Sequence, residues 1–159
     1  MNQPSATPQA DRELTFERVM DASPDRLFRA WTEPELLKQW YCPRPWGVSS
    51  AQLDVRPGGK GVIVMVGPDG QEYPNLGVYL EVVENRRLVF TDAFVEAWAP
   101  SGKAFMVATI TFEPMGAKTR YRAVIRHWSV EDREAHEKMG FHEGWGKAAD
   151  QLAELVATL

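Results

Sequence analysis

Between Ser49 and His127 the chain is broken five times by turn chemistry, and none of the intervals could hold a crossover helix. The breaks are RPGG at Arg56–Gly59, GPDG at Gly67–Gly70, ENRR at Glu84–Arg87, PSG at Pro100–Gly102 and MGAK at Met115–Lys118. Gly, Pro, Asn and Asp supply the backbone angles and local capping that tight turns need. They delimit SAQLDV, GVIVMV, NLGVYLEVV, LVFTDAFV, AFMVATITFE and TRYRAVIRHW, all rich in β-branched and aromatic residues. Parallel neighbours need a connection of about a dozen residues or more, so strands joined this tightly run antiparallel. A further strand is expected at LTFERVM, where Leu14, Phe16 and Met20 alternate.

Helical patterns flank the strands. ASPDRLFRAWTEPELLKQW opens with Ser23 and Pro24, an N-cap and a first-turn proline, and Leu27, Phe28 and Trp31 then recur at helical spacing. Pro34 ends that helix at Thr32 or Glu33 and starts a second one carrying Leu36, Leu37 and Trp40. Near the C-terminus, Ser129 with Asp132 three residues on reads as a capping box. On a helical wheel Phe141, Trp145, Ala148, Leu152, Leu155 and Leu159 form one stripe, flanked by Ala149 and Val156. Carried backwards, the stripe meets Glu134, Glu137 and Lys138, so Val130 to Gly140 lacks a core face. That segment is expected to be solvated, to cover a cavity mouth as a lid, or to meet a second copy in a homodimer.

A chain of 159 residues, 44% hydrophobic and 25% charged, suits one globular domain with a core of its own. Residues 1–12 are polar and aperiodic and are expected to be a disordered leader to a single domain over 13–159. A net charge of −4 with no basic block argues against nucleic acid. The first residues lack the apolar run of a signal peptide, and no stretch approaches the roughly 18 apolar residues of a membrane span. The expected location is therefore cytoplasmic.

Strand, two short helices, six strands and a long C-terminal helix, together with DASPDRLFRAWTEPELLKQWYCP, LDVRPGGKGVIVMVGPDGQEYPNLGVYLEVVENRRLVFTDAF and the final GFHEGW and LAELV, resemble one family. It is the activator of heat-shock protein 90 ATPase homologue family, within the START-like or SRPBCC superfamily of polyketide cyclases and birch pollen allergen proteins. The resemblance covers Leu14 to Leu159. It implies an α+β helix-grip fold: a curved antiparallel sheet of about seven strands wrapped round a long C-terminal helix, with an apolar cavity between them. It implies no shared reaction and no cofactor. The family name raises a chaperone partner, which the few polar residues ahead of the domain weaken.

Within that fold, alternation puts Tyr121, Ala123, Ile125 and His127 on the concave face and Arg120, Arg122 and Arg126 outside. Met106, Ala108, Ile110 and Phe112 are expected beside them, then Phe90, Asp92 and Phe94. Tyr121, His127 and Asp92 would be polar groups in an apolar lining, which suits either satisfied core residues or a ligand pocket. WYCPRPW, Trp40 to Trp46, lies where the second short helix meets the sheet. Trp40 is expected to anchor the helix, with Trp46 and Trp98 at the cavity entrance and Phe141 and His142 completing the lining. His127, His136 and His142 are spaced as no zinc site is, and the lone Cys42 reads as a small buried hydrophobe rather than a nucleophile. RPGG sits between strands, with no helix N-terminus to hold a phosphate. The leading expectation is a binding module for an apolar or aromatic small molecule. The alternatives are a cyclase- or hydrolase-like enzyme using Tyr121, Asp92 or His127, and a chaperone-associated stress protein.

Overall fold

A computed structural model describes residues 10–159. Most of the expected leader lies outside the described residues, but Ala10–Arg12 form a short 3-10 turn rather than a disordered end. The reason is local bonding. Arg133 Nε donates to the Asp11 carbonyl at 2.9 Å, and the Arg12 carbonyl lies 2.8 Å from His127 Nδ1.

The elements run β1 (Glu13–Met20), α1 (Pro24–Thr32), α2 (Pro34–Leu37), β2 (Gly47–Leu53), β3 (Lys60–Val66), β4 (Glu72–Val83), β5 (Arg87–Thr91), β6 (Phe94–Glu96), β7 (Ala99–Pro100), β8 (Met106–Met115), β9 (Lys118–His127), α3 (Val130–Lys138) and α4 (Phe141–Val156). Seven strands form one antiparallel sheet in the order β1-β9-β8-β5-β4-β3-β2. Its two edges, β1 and β2, are consecutive in sequence. The chain joining them must cross the sheet, and this carries α1 and α2 over one face, where α4 packs beside α1. With α4 gripped in this way the architecture is the helix-grip fold.

Strand register shows which face is the core. Leu14, Ile125, Ala108, Phe90 and Tyr79 are successive cross-strand partners, as are Phe16, Ala123, Ile110 and Leu88. Partners on neighbouring antiparallel strands share a face. On the other face Arg126, Arg122 and Arg120 pair with Glu13, Glu17 and Glu113 at 2.9, 3.6 and 3.3 Å. This charged ladder keeps the outer surface wet.

Two expectations need correction. LVFTDAFV does not run as one strand: β5 stops at Thr91, and β6 pairs only with β7 in a separate ribbon. Side chains take over the pairing there. Asp92 Oδ1 accepts from Phe105 N at 2.9 Å and Met106 N at 3.1 Å, while Thr91 Oγ1 donates to the Met106 carbonyl at 2.7 Å. Phe94 therefore leaves the row that Phe90 occupies. The C-terminal helix is likewise two helices, broken at Gly140 with φ of 93°, a left-handed conformation that costs glycine little. The Ser129 cap is present, its side chain accepting from Asp132 N at 3.0 Å.

Candidate ligand cleft

The concave face is not uniformly filled. Over β1, β9 and β8 the space is closed by aromatics: Trp145 lies 6.2 Å from Phe16, 5.7 Å from Phe141 and 6.3 Å from Trp31, measured between ring centroids. The cavity expected between sheet and C-terminal helix is occupied by these side chains. Toward β2 a half-enclosed apolar cleft of about 140 Å³ opens, with no α4 residue in its lining. It lies against α1 and α2, between Trp31, Leu37 and Tyr41 on one side and Ile63, Tyr79 and Phe90 on the other.

Its floor is open at Gly61, where a side chain is missing, whereas at Gly77 the backbone of β5 comes close, so that a Cβ would sit 2.5 Å from the Thr91 carbonyl oxygen. Gly61 of β3 and Gly77 of β4 are direct partners, and by register they share a face with Leu53, with the Ile63–Asn75 pair, and with Tyr79 and Phe90. A Cβ on Gly61 would meet only Leu53 Cδ2 at 3.9 Å and the Gly77 carbonyl oxygen at 4.0 Å. A volume near 140 Å³ resembles the roughly 150 Å³ apolar cavity that accepts benzene. A shallower, more polar depression of about 200 Å³, lined by Arg12, Val107, Arg126, His127 and Trp128, lies elsewhere.

WYCPRPW frames the cleft through Tyr41 rather than its tryptophans. Trp40 is buried, its indole donating to the Ala30 carbonyl at 3.0 Å, and packs on Trp31 at 5.0 Å. Gln151 of α4 holds the loop from beneath: its amide donates to the Trp40 and Cys42 carbonyls at 3.0 and 2.8 Å and accepts from Arg44 N at 2.9 Å. Burial pushes the Cys42 thiol up to about 11, which keeps it protonated and inert at neutral pH. Burial likewise pushes the Tyr41 phenol up to about 12 and raises that of Tyr79.

Of the twelve residues expected to line a ligand site, Phe90, Asp92 and Met106 line this cleft. Ile110 and Tyr121 lie in the packed core, where Tyr121 accepts from the Trp31 indole at 3.1 Å. Phe141 is buried against Trp145. Trp46 rests on Tyr73 at 5.5 Å and Trp98 on Phe94 at 5.8 Å, and neither tryptophan lines the cleft. His142 is bonded to Glu137 at 3.2 Å on the surface. His127 donates through Nδ1 to the Arg12 carbonyl at 2.8 Å, and its Nε2 shares a hydrogen bond with Nδ1 of His136, 2.8 Å away. Burial and the neighbouring His127 lower the His136 pKa to about 4. α3 is thereby tied to β9 and the N-terminal turn, and it contributes no residue to the cleft, unlike the expected lid.

Trp31, Tyr41, Tyr79, Gly61 and Gly77 are cleft residues that pattern reading passes over. The signal for the glycines was present: a lone Gly inside a strand marks a close approach or a gap. Among the described residues no cluster of three or more His, Cys, Asp or Glu is placed to hold a metal ion, and no helix is long and apolar enough to cross a membrane.

The fold recurs in solved structures. A protein from Nitrosomonas europaea is 41% identical, with 94% of this chain and 96% of that one covered at a TM-score of 0.91. One from Mycobacterium smegmatis is 25% identical over 92% and 91% of the two chains at a TM-score of 0.78. An AHSA1-like protein from Aeromonas hydrophila, 16% identical over 92% of each chain at 0.71, shares the fold. Among curated proteins none matches. The model of the family described as Activator of Hsp90 ATPase homolog 1-like protein matches residues 21–157, nearly the whole of the domain built here around its seven-stranded sheet, and the chain belongs to that family.

Proposed function

We propose that this protein binds a small apolar or aromatic molecule, about one ring in size, in the cleft between α1–α2 and strands β2 to β5, and that it does so in the cytoplasm. The family's fold is a ligand-binding one in general. The observation that carries the finer reading is the open space at Gly61: a Cβ there would have no neighbour nearer than 3.9 Å, and Trp31, Tyr41, Ile63 and Phe90 surround the gap but do not fill it. Cores close such gaps, because unfilled apolar volume forfeits dispersion contacts. Of Asp92, Tyr121 and His127, the residues an acid–base reading would use, Asp92 alone lines the cleft. The chaperone-partner reading rests on the family name.

The test is amide chemical-shift titration with ethylbenzene. Saturable shifts are expected at Gly61, Ile63, Gly77 and Phe90, and Gly61→Val, whose side chain would fill the floor, should abolish them while the domain stays folded. No saturable shift in the cleft, or undiminished binding by Gly61→Val, overturns the proposal.

A further inference from the structure

Two phenols of the cleft wall have no hydrogen-bond partner among the described residues. Tyr41 and Tyr79 line the cleft on opposite sides, and neither hydroxyl makes a hydrogen bond to any described residue. Tyr79 is only 7% exposed. Elsewhere the buried aromatic N–H and O–H groups are used: the Trp31 indole meets Tyr121, and the Trp40 indole meets Ala30. Neither hydroxyl is cut off from water, so a ligand acceptor bound there would take the place of water on a donor that the protein leaves free.

We infer that the Tyr41 and Tyr79 hydroxyls form a two-donor subsite that reads a neutral hydrogen-bond acceptor, such as a ketone or aldehyde carbonyl, on a ring-sized ligand. This rests on the binding function proposed for the cleft and specifies the ligand's chemistry. Both phenols stay protonated at neutral pH, because burial raises them, so they act as donors. The acceptor is neutral because the cleft offers nothing to balance an anion. No Lys, Arg or His lines it, the Asp92 carboxylate does, and Asp54, already paired with Arg56 at 2.8 Å, is felt at Tyr79. A ligand carboxylate would meet like charge in a partly desolvated site. The apolar walls take the ring, and the hydroxyls orient its polar end.

The probes are acetophenone, its acceptor-free analogue ethylbenzene, and benzoate, titrated into the wild type, Tyr41→Phe and Tyr79→Phe. Each substitution is expected to weaken acetophenone about fivefold, the scale of one net hydrogen bond, and to leave ethylbenzene within about twofold. Ethylbenzene thus also reports that each variant keeps its cleft. Benzoate should bind at least tenfold more weakly than acetophenone. Equal effects of the substitutions on both neutral probes, no effect on acetophenone, or benzoate binding as tightly as acetophenone overturns the acceptor subsite while the cleft remains a binding site. Failure of both neutral probes to saturate the wild type overturns the binding reading beneath it.

Discussion

Gly61→Ala and Gly77→Ala are the same chemical change at two directly paired positions, yet the structure requires opposite signs. At Gly61 the new methyl meets its nearest neighbours at 3.9 and 4.0 Å, ordinary contact distances, and the backbone is not left-handed. Replacing glycine there removes about 0.5–1 kcal/mol of excess unfolded-chain entropy. The methyl is partly buried, and a fully buried one contributes about 0.8 kcal/mol, so the net is a gain of about 1 kcal/mol. At Gly77 the methyl would sit 2.5 Å from the Thr91 carbonyl oxygen and 3.3 Å from its carbon. Thr91 cannot yield easily, because its hydroxyl is bonded to Met106 and the adjacent Asp92 carboxylate holds the start of β8. Overpacking against fixed backbone costs about 1–3 kcal/mol, and less the same entropy gain this leaves a loss of about 1–2 kcal/mol. The variants should differ by about 2–3 kcal/mol, or roughly 8 °C in Tm for a domain of this size. Urea unfolding followed by tryptophan fluorescence, with unchanged m-values, measures it. Two shifts of the same sign and similar size would refute the account of the cleft floor.

Gln151→Leu should destabilise the domain by about 2–4 kcal/mol, because it strands the Trp40 and Cys42 carbonyls and the Arg44 amide together; a loss under about 1 kcal/mol in urea unfolding would show that water replaces Gln151 readily. Stability should also fall with acid through His136. Its folded pKa, about 4, lies below the unfolded 6.5, so between those values the unfolded chain binds the extra proton, and the contribution present above pH 6.5 is lost as pH falls toward 4. Discounted for partial exposure this is on the order of 2 kcal/mol. His136→Gln, which retains a donor toward His127, should flatten the stability difference between pH 7 and pH 4.5, and an unchanged slope would assign the acid loss to the paired carboxylates.

Much of the architecture is local and therefore legible in the chain. Turn residues at Arg56–Gly59, Gly67–Gly70, Glu84–Arg87 and Met115–Lys118 lie between paired strands because each acts within a few residues of itself. The Tyr121, Ala123, Ile125 and His127 face is buried as alternation requires, since a strand's side-chain period is set by its backbone. The Ser129 cap and the Phe141-to-Leu155 stripe follow from helix geometry in the same way.

The cleft is a different kind of fact. It exists where no α4 residue joins the lining and where Gly61 leaves the wall open, and both depend on how segments many residues apart come together. Helical spacing marks Trp31 as a core residue, and it is buried, but spacing cannot say that the core is incomplete beside it. The split of LVFTDAFV shows the same limit: Asp92 ends β5 by capping Phe105 and Met106, thirteen and fourteen residues later, so nothing near it in sequence announces the break. Strand and helix are decided by neighbours along the chain, whereas an unfilled volume is decided by which side chains fail to arrive from elsewhere, and only the folded arrangement contains that information.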